Sequence, residues 1–73
     1  PNHVDEIVTA FTVATVREAA EKLPEAQRQV IALRFGAGLS VAETAQALGK
    51  TANNVKVLQH KAIAKLQIMV KDE

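Results

Sequence analysis

The chain has 73 residues, which suits one small domain. Aromatic residues make up only 3% of it, so the core must come mainly from Val, Ile, Leu and Ala with Phe11 and Phe35, and the absence of cysteine excludes disulfide frameworks and thiolate metal sites. The net charge of +1 is unevenly distributed, because residues 44–71 carry five lysines and no acidic residue whereas residues 1–43 carry −2.

Apolar residues recur at helical spacing along the chain, and strand signals are almost absent. The stretch 12–16 is rich in β-branched residues, which favours a bend within a first helix. Pro24 suits the first turn of a second helix, since its fixed φ matches helical geometry. The sequence therefore predicts an all-α fold, a small domain of four helices, and no apolar run approaches the roughly 20 residues of a membrane span. The helices are expected near residues 4–22, 25–35, 41–48 and 52–70.

The segment 40–62 has the pattern of a helix-turn-helix. Ser40 and Glu43 stand three residues apart, as in a capping box that begins a helix. Gly49 follows the last apolar residue of that helix, where a left-handed residue is common, and Thr51 can cap the next helix. The last helix then presents an inner face of apolar residues three or four positions apart. These residues are Val55, Leu58, Ala62 and Leu66.

The opposite side of the last helix, called the outer face below, is formed by Asn53, Lys56, Val57, His60 and Ala64. In helix-turn-helix proteins this second helix commonly enters the DNA major groove. An asparagine at its start can bond an adenine edge, and an outward valine suits a thymine methyl group. The lysine-rich segment is the charge pattern expected of a surface that meets phosphates.

A family resemblance covers residues 23–66, LPEAQRQVIALRFGAGLSVAETAQALGKTANNVKVLQHKAIAKL. This stretch resembles the C-terminal promoter-recognition domain, region 4, of bacterial RNA polymerase sigma factors, and most closely that of the extracytoplasmic-function group. The shared residues are Leu23-Pro24, Gln27-Arg28, Val30, Leu33-Arg34, Gly38, Ser40, Glu43, Ala45, Leu48-Gly49, Val55-Lys56, His60, Ala62 and Leu66. The resemblance implies a single domain, with a linker and first helix in residues 1–22 and the helix-turn-helix part in residues 23–73. Since the sequence begins at Pro1 without methionine, we expect it to be a piece of a longer protein.

The resemblance also implies a function. Such a domain binds the minus-35 promoter element through its recognition helix in the major groove, docks on the β-subunit flap of RNA polymerase, and so directs transcription initiation in the bacterial cytoplasm. It needs no cofactor or metal and catalyses nothing, and it is often held by an anti-sigma factor or another regulatory protein. Carried over position by position, the DNA-contact residues fall on Arg34, Thr51, Asn53, Asn54, Lys56, Val57, His60 and Lys61.

The chain departs from the common family pattern after the Val-Lys pair. Many members have Ser-Arg-Leu there, and this sequence has Val57-Leu58-Gln59. A basic group is thereby lost, so the base preference of better-known members cannot be transferred. Several of the candidate residues also have purely structural interpretations: the asparagines as helix caps, His60 as a surface side chain, and Arg34 as the partner of an acidic residue.

Two other functions are compatible with parts of the pattern. The effector domains of response regulators and quorum-sensing activators share the layout of residues 38–49, although they usually start with Leu-Thr where this chain has Leu23-Pro24, and they dimerise through their last helix. Alternatively, the chain is an interaction module for an anti-sigma factor or activator. An enzyme is not expected, because the sequence lacks a phosphate-binding glycine loop, a metal-ligand constellation and a Ser-His-acid set.

Overall fold

The computed structural model describes residues 17–71 of the chain. Within this range every regular element is helical, which confirms the predicted all-α class. The predictions of helices near 41–48 and 52–70 are confirmed, and the last helix ends at Lys71. The elements are α1 at residues 17–20, α2 at Glu25–Ile31, a π-helical turn at Ala32–Gly36, α3 at Val41–Leu48 and α4 at Ala52–Lys71.

The first helix is described only from residue 17, so residues 4–16 of the predicted helix, and the bend expected at 12–16, lie outside the described residues. Its end comes at residue 20, two residues earlier than expected, and a short turn leads to Pro24. Pro24 occupies the N-cap position of α2 rather than its first turn, with extended backbone angles (φ −53°, ψ 149°), and Glu25 is the first helical residue.

The prediction of one α-helix over 25–35 is wrong beyond Ile31, where the backbone widens into the π-helical turn. The N–H of Ala37 donates to the carbonyl of Ala32, five residues earlier, at 2.9 Å. The expected burial of Phe35 is also wrong, because its side chain is 59% exposed. That expectation came from composition alone, which does not show which way a side chain in the π-helical turn points.

The turn between α3 and α4 follows the predicted chemistry closely. The Ser40 hydroxyl accepts from the Glu43 N–H at 3.0 Å, and the Glu43 carboxylate accepts from the Ser40 N–H at 2.8 Å, which completes the capping box. Hydrogen bonding to Ser40 lowers the pKa of the Glu43 carboxyl. The backbone N–H of Ser40 is the larger cause, and the Ser40 side chain adds to it. At the other end of α3, Gly49 is left-handed (φ 67°), and the Lys50 N–H returns to the Ala45 carbonyl at 2.9 Å.

Two apolar clusters hold α4 along its length. The first lies between α2, α3 and the N-terminal half of α4, and it consists of Val30, Ala45 and Val55. The second joins α1 and α2 to the C-terminal half of α4 through Ala19, Leu23, Ile31, Ala62 and Leu66. The predicted inner face of α4 is thus confirmed at three of its four positions, and the fourth, Leu58, is half-buried against the first cluster.

This packing fixes which side of α4 points away from the rest of the molecule. Val55 and Ala62 are fully buried, so the residues on the opposite side of the helix must face outward. None of the helices described has the length and apolarity needed to cross a membrane.

Candidate DNA interface

The outer face of α4 is where the sequence places it. Asn53, Lys56, Val57, His60 and Ala64 are all exposed, and the Val57 side chain retains 44% exposure although it is apolar. Contact between an apolar side chain and water is unfavourable. The exposed Val57 side chain is therefore available for an apolar contact such as a thymine methyl group.

The N-terminal end of α4 is capped by Thr51. Its hydroxyl accepts a hydrogen bond from the backbone N–H of Asn54 at 3.0 Å. Asn53 and Asn54 lie in the first turn of α4, and the cap uses only the backbone of Asn54. The alternative that the asparagine side chains cap this helix is therefore wrong. Both side chains are exposed and remain available for other partners.

Arg34 reaches α4 from the π-helical turn. Its Nε donates to Gln59 Oε1 at 2.8 Å, and its Nη1 donates to the Leu39 carbonyl at 2.6 Å. The guanidinium also lies 5.6 Å from the centroid of the Phe35 ring, within cation–π range. Both of these hydrogen-bond acceptors are neutral. The alternative that Arg34 pairs with a nearby acidic residue is therefore wrong within the described part of the chain.

The segment that forms this surface carries positive charges and no negative ones. Lys56, Lys61 and Lys65 are exposed on α4, and Lys50 is half-buried in the turn before it. No acidic residue occurs between positions 44 and 71. Positive charge on a helix that carries no acidic residue of its own attracts a polyanion over several ångströms.

The predicted site residues fall into three groups in space. The first group belongs to the outer face: Asn53, Lys56, Val57 and His60 lie along it, and Thr51 and Asn54 lie at its N-terminal end. Lys61 is the second group. It is exposed, but because it follows His60 directly it points about 100° away from it around the helix axis. Arg34 is far away in the chain but lies beside the middle of α4 through Gln59.

Residues 19–67 match the family model described as Sigma-70, region 4, which covers more than half of the chain. The chain belongs to the sigma-70 region 4 family. This match favours the sigma-factor interpretation over the response-regulator one. Region 4 is a DNA-binding part of transcription factors and not an enzyme domain.

Several relatives of this region 4 domain are named ECF RNA polymerase sigma factors. BldN of Streptomyces coelicolor is 35% identical over 69 residues, covering 94% of this chain and 26% of the relative. SigD of Mycobacterium tuberculosis is 42% identical over 60 residues (82% and 28%), and ShbA of Streptomyces griseus is 38% identical over 56 residues (77% and 29%). The chain thus spans little more than a quarter of the length of these relatives. Their shared name supports the resemblance to the extracytoplasmic-function group.

Sequence reasoning overlooked Gln59 as a contributor to this region 4 surface. The signal was present, because a polar residue stands where many family members have leucine. What the sequence does not show is its partner, since Arg34 is 25 residues away and reaches Gln59 only through the packing of α2 against α4. In residues 17–71 no group of three acidic or histidine side chains is placed to hold a metal ion.

Proposed function

We propose that this region 4 domain binds the minus-35 element of bacterial promoters, with the outer face of α4 in the major groove. The observation that carries the proposal is an exposed, acid-free helix face in a chain that matches region 4 over residues 19–67. A capped N-terminal end of that helix supports it, since residues at this end of a recognition helix usually meet the bases.

The proposed contacts follow from the chemistry of each side chain. Asn53 and Asn54 each offer one acceptor and two donors, which match the N7 and N6 groups of adenine. Val57 is proposed to contact a thymine methyl group, and His60 lies on the same face near the bases.

A second set of residues is proposed to hold the phosphates. Lys56 and Lys61 project from an acid-free helix as exposed positive charges, which suits sequence-independent binding. Arg34 joins them from the π-helical turn, and the Thr51 hydroxyl can donate to a phosphate while it accepts from Asn54.

We also infer protein partners for the chain. As the resemblance implies, the domain is proposed to dock on RNA polymerase at the β-subunit flap and to act in the bacterial cytoplasm. Its proposed role is to direct transcription initiation without chemistry or a cofactor of its own. An anti-sigma factor or another regulatory protein is a further proposed partner. The exposed side chains of Phe35 and Ile68, 59% and 63% accessible, are apolar contacts that such partners can use.

The salt dependence of binding tests the DNA proposal. In holoenzyme assembled from polymerase core and a sigma factor that contains this sequence, Lys56→Ala and Lys61→Ala should each weaken binding to all promoters similarly. Each should lower the slope of log Kobs against log salt by about one unit, because one fewer counterion is released. The matched control is Lys22→Ala, an exposed lysine in the turn before α2. Slopes that stay unchanged in both α4 variants would remove this face from the interface.

A further inference from the structure

The contact between Arg34 and Gln59 joins residues 25 positions apart and is the longest-range side-chain hydrogen bond in the described part of the chain. Arg34 Nε and Gln59 Oε1 are 2.8 Å apart, and both side chains are half-buried. The second bond, from Nη1 to the Leu39 carbonyl at 2.6 Å, fixes the other edge of the guanidinium. Two bonds to two different segments leave the planar group little freedom to rotate.

The chemistry of the pair decides its orientation. A guanidinium has only donors, so the amide of Gln59 must turn its oxygen toward Arg34. Two of the five N–H donors of Arg34 are then used, and three remain for another partner. The ring of Phe35, 5.6 Å from the guanidinium, flanks it without consuming a donor.

Both acceptors are neutral, and this distinguishes the arrangement from an ordinary ion pair. A carboxylate at position 59 would make a stronger hydrogen bond but would cancel the charge of Arg34. The amide and the Leu39 carbonyl hold the group in place and leave its full positive charge available.

Gln59 also stands beside the outer face of α4. It lies three residues after Lys56, on the neighbouring turn of the helix, where the two side chains are neighbours. The guanidinium bonded to Gln59 is therefore held on the side of the outer face that carries Lys56.

We propose that Gln59 is a positioning residue, which holds the Arg34 guanidinium for a DNA phosphate without neutralising it. This inference rests on the proposed function, because it assigns a task on the same DNA surface. It gives a role to a residue at which the chain departs from the common family pattern.

Two substitutions at position 59 disrupt the proposed role in different ways, one by removing the acceptor and one by cancelling the charge. Both are measured by promoter binding of the holoenzyme at 50 to 200 mM salt. Gln59→Met keeps the length of the side chain but removes the acceptor, so Arg34 should lose its position. Gln59→Glu keeps the acceptor and cancels the charge. Both should reduce the magnitude of the salt slope by about 0.9, so the ratio of wild-type to variant affinity shrinks about 3.5-fold from 50 to 200 mM salt.

The Arg34→Ala background supplies the decisive comparison. If Gln59 acts through Arg34, Gln59→Met has no further effect on affinity or slope once Arg34 is alanine. An equal effect in both backgrounds, or an unchanged slope for both position-59 variants, would overturn the inference. Lys56→Ala measured in parallel tells the two proposals apart. A lowered slope for Lys56→Ala alone refutes only the role of Gln59, whereas unchanged slopes throughout refute the DNA interface itself.

Discussion

The rotation of α4 about its own axis decides which residues can meet DNA, and a pair of valines on that helix tests it. Val55 is fully buried against Val30 and Ala45, whereas Val57, two residues later, is 44% exposed. Replacing either with alanine removes the same two methyl groups from the same helix. The two substitutions therefore differ in burial and share their effect on helix propensity.

The expected magnitudes follow from that difference. Val55→Ala removes two methyl groups from a fully buried site, at about 0.8 kcal/mol each, and adds a cavity term. The better helix propensity of alanine returns roughly 0.5 kcal/mol, so the free energy of unfolding should fall by about 2 kcal/mol. Val57→Ala should change it by no more than about 0.5 kcal/mol in either direction.

Urea unfolding followed by far-UV circular dichroism measures both values at a common m-value. The same variants should behave in the opposite way in promoter binding, where Val57→Ala loses an apolar base contact and folded Val55→Ala does not. Equal shifts of the urea midpoint for the two variants would mean that α4 is rotated from the orientation described, and that the outer face is assigned wrongly.

Three further outcomes concern the segments that position α4. The Ser40 bonds lower the pKa of Glu43 in the folded state, so the stability they contribute is complete above the ordinary carboxyl pKa and is lost as the pH falls through the lowered value. The stability gap between wild type and Glu43→Ala, measured by urea titration, should therefore narrow in acid. Gly49→Ala should cost about 1–2 kcal/mol, entirely from the left-handed backbone, since an added Cβ meets no atom within 4 Å. Leu58→Ala should destabilise by about 2 kcal/mol, at the low end for buried leucines because Leu58 is half-buried, and a larger loss would place it in the core.

The sequence was sufficient for the features that depend on neighbouring residues. The capping box of Ser40 and Glu43, the left-handed Gly49 and the Thr51 cap each involve residues at most three positions apart, or a single backbone angle. The inner face of α4 was also predictable, because one helical period relates its members.

Features that depend on tertiary contacts escaped prediction. The π-helical turn at Ala32–Gly36 has no simple residue signature, and composition does not reveal that the Phe35 side chain within it is exposed. The hydrogen bond between Arg34 and Gln59 depends on the packing of α2 against α4, which the sequence pattern alone does not show. The sequence left open whether the side chains of Asn53 and Asn54 cap α4. The structure shows that the Thr51 hydroxyl provides the cap.

The central claim is that the N-terminal turn of α4 reads bases. Its most direct test is transcription from a randomised minus-35 library by holoenzyme carrying Asn53→Ala or Asn54→Ala. Neither change removes the cap, since the Thr51 hydroxyl bonds only the backbone of Asn54, and Thr51→Ser serves as the control that retains a hydroxyl. We expect at least one alanine variant to lose about 1–3 kcal/mol of discrimination at a single base pair, with preferences elsewhere in the element intact. If both variants keep the wild-type preference at every position, the asparagines do not read bases, and specificity must come from other outer-face residues or from DNA shape.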